Sequence, residues 1–168
     1  IAGKYRGGPA KIAVLSSALF GTIAGSSIAN VAATGTFTIP LMKRTGYRAE
    51  FAGAVEAAAS TGGQIMPPIM GATAFVMAEI VGVPYSTVAL AAMLPAILFF
   101  FSVLVMVHCE AVKSSLKGLP REALPSVKKL LKEKWAYLLP VITVFSSLLI
   151  FNVSTARAAL YGIMTAIC

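Results

Sequence analysis

Two long apolar stretches of this chain are each interrupted midway by residues that a plain membrane-spanning helix avoids. The first break is Gly25-Ser26-Ser27-Ile28-Ala29-Asn30, and the second is Thr61-Gly62-Gly63-Gln64-Ile65-Met66-Pro67-Pro68. Irregular backbone leaves N–H and C=O groups unpaired, which is costly in hydrocarbon, so it survives only where it is buried in protein or lines a polar cavity. Paired interruptions of this kind point to an ion or substrate site of a secondary transporter.

Composition agrees with a membrane setting. Hydrophobic residues make up 58% of the chain and charged residues 12%, about half the share of a soluble domain at roughly 25%. The mean hydropathy is +0.85. The charges fall in clusters between uncharged runs, the pattern of a polytopic α-helical membrane protein. A net charge of +8 could suit nucleic acid. The Lys and Arg residues instead sit at the ends of apolar runs, not on one face interleaved with aromatics, and no nucleic-acid partner is expected. Cys109 and Cys168 are too far apart in sequence for a disulfide framework or metal cluster, and both read as inert. The chain starts at Ile1 and stops inside a new apolar run, Ala158 to Cys168, so it reads as a piece of a longer protein.

Charge placement predicts the topology. Residues 1–11 form a basic cytoplasmic segment. The uncharged run Ile12 to Met42 is 31 residues, about 46 Å as one helix against a hydrocarbon core of about 30 Å. Lys4, Arg6 and Lys11 precede it and Lys43, Arg44 and Arg48 follow it. The positive-inside rule therefore puts both ends in the cytoplasm and makes 12–42 a re-entrant helical hairpin. Its first arm is expected to run from Ile12 to Phe20, ending in Gly21 to Gly25. Its second is expected to start at Ser26 or Ser27 and stop before Pro40, each arm reaching roughly 20 Å.

Residues 43–81 carry a basic lead-in and a discontinuous transmembrane helix. Gly62-Gly63 is expected to end its first half, and Pro67-Pro68 to open the second, since proline in a first turn forfeits no intrahelical bond. Gly82 to Tyr85 reads as an external turn, Ser86 as the cap of the next helix, and 82–108 as a transmembrane helix. The basic loop 109–134 is cytoplasmic by the same rule, with an amphipathic surface helix expected at Pro125 to Lys134 and Trp135 and Tyr137 as interface anchors. Residues 135–155 cross outward, and 156–168 begin another membrane segment. The fold class is all-α: a re-entrant hairpin, a discontinuous helix, then two or more transmembrane helices.

The chemistry follows from the half-helix dipoles. The second hairpin arm presents its N-terminus at the tip, where free N–H groups and about half a positive charge favour an anion such as a carboxylate. Ser26, Ser27, Asn30 and Thr34 are the candidate substrate-binding residues, with Ser27, Asn30 and Thr34 at helical spacings of three and four. The half-helix ending at Ser60-Thr61-Gly62 presents carbonyls at the opposite pole, suited to a hard cation such as sodium. Gly25, Asn30, Ser60, Thr61, Gly62, Gly63 and Gln64 are the candidate cation-binding residues, and Pro67 and Pro68 mark the structural break. An anion and a cation site could share one cavity.

Several segments carry these features in a familiar order: Gly25-Ser26-Ser27, Ile39-Pro40-Leu41-Met42, Gly46-Tyr47, Phe51 through Gly63, and Pro67-Pro68. Together they resemble the large membrane subunit of tripartite ATP-independent periplasmic (TRAP) transporters, most closely the fused permeases that work with TAXI-type binding proteins. The resemblance covers Gly21 to about Pro84. It implies one half of an inverted-repeat, elevator-type transporter in a bacterial or archaeal inner membrane. It further implies sodium-coupled import of small organic anions such as dicarboxylates, oxo acids or acidic amino acids. The implied partners are a periplasmic substrate-binding protein and a small membrane subunit fused upstream or separate. Sodium would be the coupling ion, with no other cofactor; the residues leave proton coupling open.

Plainer readings stand beside these. Ser26, Ser27, Asn30 and Thr34 could bond across helices purely as packing, and the Gly21-x-x-x-Gly25 and Gly53-x-x-x-Ala57-x-x-x-Thr61 stripes read as helix contacts. Glu56 could reach the cytoplasmic interface, pair with Lys43 or Arg44, or take part in coupling. His108, beside the basic loop, reads as interfacial. The rival function is a membrane scaffold or enzyme subunit whose breaks serve packing only. Against an enzyme, the chain has no Gly-x-Ser-x-Gly elbow, His-Glu-x-x-His motif or phosphate-cradling loop.

Overall fold

The structure, a computed structural model, describes residues 6–116, 138–149 and 155–167. All the regular elements among them are helices: α1 (Gly8–Ala24), α2 (Ser27–Arg44), α3 (Ala49–Gly62), a 3-10 turn (Gly63–Ile65), α4 (Ala72–Val81), α5 (Tyr85–Lys113), α6 (Leu138–Leu149) and α7 (Thr155–Ile167). The expected surface helix at 125–134 and the anchors Trp135 and Tyr137 lie outside the described residues.

Helices α1 and α2 form a hairpin closed by two residues. Gly25 ends α1 in the left-handed region, with φ 60° and its N–H on the Gly21 carbonyl. Ser26 caps α2, its side chain accepting the Ala29 N–H at 3.4 Å. The arms have 17 and 18 residues, about 26 Å each, longer than expected. Helix α2 also passes through Pro40 to Arg44 instead of stopping before it. Proline removes one hydrogen bond, but Met42, fully buried two residues on, anchors the last turn in the core, and its carbonyl accepts from Tyr47 N.

Helix α1 lies at the centre, packed along α2, α3 and α5. The core is mostly small: Ala10, Ala13, Val14, Ala18, Ala52, Val55, Ala59 and Ala111, with Met42, Tyr47, Phe100 and Val107 filling the larger gaps. Alanines let helix axes approach closely, the packing that serves in lipid where apolar burial alone gives no drive. Helix α5, at 29 residues, is long and apolar enough to cross a membrane. Its large side chains, Leu90, Leu94, Leu98, Phe101 and Met106, are exposed. It begins at Tyr85, after Pro84, so Ser86 lies within its first turn and not at the cap, and it continues to Lys113, one turn beyond the expected end.

The break between α3 and α4 also differs from expectation. Pro67-Pro68 does not open the second half-helix. Each proline disfavours helical backbone in the residue before it, and Met66 is extended at φ −82° and ψ 116°. The chain then turns through Met70, at positive φ, and α4 starts only at Ala72. The loop's polar backbone is partnered all the same: Ile69 N–H donates to Thr22 O at 3.2 Å and Gly71 N–H to Gln64 O at 2.7 Å. Tyr85 Oη donates to Pro68 O at 2.6 Å and stacks on Phe75, tying the loop to α5.

Candidate functional site

The hairpin tip and the break are pressed together. A Cβ on Gly25 would lie 2.3 Å from Met70 O, and one on Gly21 would lie 2.4 Å from the Gly63 Cα. A Cβ on Gly63 would lie 2.9 Å from both the Gly21 Cα and Asn30 Nδ2. Only glycines permit this approach of two backbones. The two interruptions far apart in sequence therefore form one junction, with Gly25, Asn30, Gly63 and Gln64 on it.

The candidate residues divide within that junction. Asn30 is fully buried and donates its amide to Ser17 O at 2.9 Å. Thr34, one turn on, sits 2.8 Å from Asn30 O and 3.2 Å from Asn30 Oδ1. Ser27 is half-buried and accepts from Gln64 Nε2 at 2.9 Å, a direct bridge from tip to break. Ser26 is exposed and spent on capping. Thus Ser27 faces the break while Asn30 and Thr34 face the helix core. Ser60 is buried, whereas Thr61 is exposed with its hydroxyl on Ala57 O at 2.8 Å. Gly62 is buried under Phe99, whose ring would lie 2.1 Å from an added Cβ. The carbonyls of Gly63 and Gln64 already accept from Met66 and Gly71.

Glu56 is the residue that sequence reasoning placed least well. It is fully buried and touches neither Lys43 nor Arg44, both exposed at the end of α2. Its carboxylate accepts from Ser17 at 3.0 Å, Ser60 at 3.3 Å, Thr38 at 2.5 Å, and Thr34. The signal was present in the spacings Thr34 to Thr38 and Glu56 to Ser60, each one helical turn. The Gly53, Ala57 and Thr61 stripe does not pack within the described residues: Ala57 and Thr61 are exposed and a Cβ on Gly53 would meet nothing within 4 Å.

At the far end of the bundle, Lys11 Nζ lies 3.1 Å from His108 Nδ1, both near the surface. The phenol of Tyr47 is buried without a hydrogen-bond partner among the described residues. Burial, and secondarily the charge of Glu110, pushes its pKa up to about 12. Among the described residues no three His, Cys, Asp or Glu side chains gather as a metal site, and Cys109 is free and exposed.

Over residues 1–168 the sequence matches the family described as the tripartite ATP-independent periplasmic transporter, DctM component. The chain belongs to that family. Among TRAP relatives, it is 32% identical to the C4-dicarboxylate TRAP transporter large permease protein DctM of Pseudomonas aeruginosa, over 98% of this chain and 39% of that protein. It is 27% identical to the isethionate TRAP transporter permease protein DctMQ of Oleidesulfovibrio alaskensis, over 96% of this chain and 26% of the relative. Identity to the sialic acid TRAP transporter permease protein SiaT of Haemophilus influenzae is 25%, over 96% and 27%. The chain thus spans well under half of each of these DctM relatives. They are transporter permease subunits, not enzymes.

Proposed function

We propose that this chain is part of the membrane permease subunit of a sodium-coupled secondary transporter that imports small organic anions. One observation carries the reading: the hairpin tip and the helix break meet through Gly21, Gly25 and Gly63, with Asn30 buried between them. Irregular backbone from two segments converges there on a polar side chain, the arrangement in which half-helix ends hold a coupling ion and an anionic substrate. The N-terminus of α2 supplies positive potential for a carboxylate, and the end of α3 supplies negative potential for sodium. The relatives' names, C4-dicarboxylate, isethionate and sialic acid, support an organic acid of this kind. Delivery by a periplasmic binding protein, of the TAXI type, and assembly with a small membrane subunit belong to the same proposal. So do a bacterial inner-membrane location, a re-entrant hairpin and an elevator movement.

A packing role is the second reading, favoured by the Asn30 amide being spent on the Ser17 carbonyl. Uptake separates the two. The full-length permease is reconstituted in liposomes with its small subunit and binding protein and offered labelled succinate, 2-oxoglutarate or glutamate, with a sodium or a potassium gradient. Transport requires that at least one accumulates only under the sodium gradient and that Asn30→Ala abolishes the accumulation. Full sodium-driven uptake by Asn30→Ala supports the packing reading, and uptake driven equally by a proton gradient replaces sodium.

A further inference from the structure

The break opens on one side into a cavity that the junction alone does not explain. It measures about 530 Å³ and lies between α4 and α5, from Gln64 at the break to Val83 at the turn after α4. Along the 10 residues of α4 that is about 15 Å. Small-molecule sites are roughly 300 to 1,000 Å³ and mostly apolar, with a few polar groups that fix orientation. Here Gln64, Thr73 and Thr87 are the polar side chains of the wall, and the rest are apolar, Met70 and Met77 the longest. No charged side chain lines it: Glu79 of α4 is exposed and lies outside it.

Two wall residues also belong to the junction. The Met70 carbonyl packs against Gly25, where an added Cβ would lie 2.3 Å away. Gln64 reaches across to the hairpin tip and donates Nε2–H to Ser27 Oγ at 2.9 Å. An amide nitrogen carries two N–H donors, and this bond uses one. Ser27, accepting there, keeps its own O–H to donate. The polar end of the cavity therefore offers two donors, which suits a carboxylate, and the remainder offers apolar wall. We propose that the cavity receives the uncharged tail of an organic monoanion whose carboxylate is held by Ser27 and Gln64. This deepens the organic-anion reading above and rests on it. Each methylene of such a tail gains free energy on leaving water. A second carboxylate carried to the far end would meet no cation, the costly case of an unpaired charge in an apolar setting.

The test uses propanoate, hexanoate and hexanedioate as probes, with succinate beside them. Each is titrated into the purified full-length protein in sodium chloride, and its affinity is read from the rise in thermal stability. Hexanoate has three more methylenes than propanoate and is expected to bind roughly fiftyfold more tightly. Hexanedioate, of the same length, is expected to bind at least about tenfold more weakly than hexanoate. Ala91→Phe puts a ring into the cavity from its exposed position on α5. It should bring hexanoate to within about threefold of propanoate and leave propanoate unchanged, and Thr87→Phe carries the same prediction if that variant does not fold. Gln64→Leu should weaken both monoanions about tenfold and preserve their ratio. Hexanoate binding untouched by Gln64→Leu would mean that the chain sits there as a lipid tail does, and would overturn the inference. So would hexanedioate matching hexanoate, no gain from propanoate to hexanoate, or a ratio that survives the filled cavity. Stabilisation by succinate alone would overturn the inference and leave the organic-anion reading standing. Stabilisation by none of the four would overturn both.

Discussion

Gly21→Ala puts the tip-to-break contact under direct load. The new Cβ would lie 2.4 Å from the Gly63 Cα and 3.1 Å from the Gly63 carbonyl carbon and oxygen. Carbon atoms rest at about 3.5 to 4.0 Å, so α1 and the 3-10 turn must separate by about 1 Å. Both partners are backbone, and no rotamer change relieves the overlap. Overpacking of this kind costs about 1 to 3 kcal/mol, and the better helix propensity of alanine returns at most about 1 kcal/mol. The net expectation is a loss of up to about 2 kcal/mol. Gly53→Ala is the matched control, because its Cβ would meet nothing within 4 Å, and it should gain up to about 1 kcal/mol through propensity alone. Thermal unfolding of the two purified full-length variants reads the contrast, at roughly 2 to 4 °C per kcal/mol for a cooperative unit of 150 to 250 residues. Gly21→Ala matching or exceeding Gly53→Ala in Tm would refute the close approach of α1 to the break, and with it the geometry of the site.

Gly62→Ala should destabilise by about 1 to 3 kcal/mol because its Cβ would meet the Phe99 ring at 2.1 Å; Phe99→Leu should recover part of that loss in a double-mutant cycle. Tyr47→Phe removes a buried hydroxyl that has no partner among the described residues and should leave the protein equally stable or up to about 2 kcal/mol more stable by thermal unfolding. The Tyr47 pKa is raised from 10.0 to about 12, so the folded state favours the neutral phenol. That contribution is complete below pH 10, is lost as pH rises toward 12, and should vanish from the pH profile of Tyr47→Phe. Ser26→Ala should cost about 0.5 kcal/mol, the low end for an N-cap, since its capping bond is long at 3.4 Å.

Much of the helix order was legible because charge and glycine punctuate the chain strongly. The turn at Gly25-Ser26, the start of α3 at Ala49 and the end of α4 at Val81 follow from glycine, cap and charge signals that act locally. Pro40 and Pro67-Pro68 were misread because a proline's effect depends on what holds its neighbours. Buried Met42 carries α2 past the first, while bonds to Thr22 and Gln64 hold the second in a loop. At the site, spacing placed Ser27, Asn30 and Thr34 on one face of α2, but three helices meeting there pull Ser27 toward Gln64 and Thr34 toward Glu56. Glu56 was illegible for the same reason: its partners come from α1 and α2 as well as α3, and such a juxtaposition exists only once the helices pack.

Equilibrium binding of labelled sodium to the purified full-length protein in choline buffer tests the proposed sodium site at the junction of hairpin tip and helix break. Saturable binding that potassium does not displace at equal concentration is expected, with one equivalent lost in Asn30→Ala. An unchanged number of sodium ions in Asn30→Ala, in a variant that still folds, would contradict it.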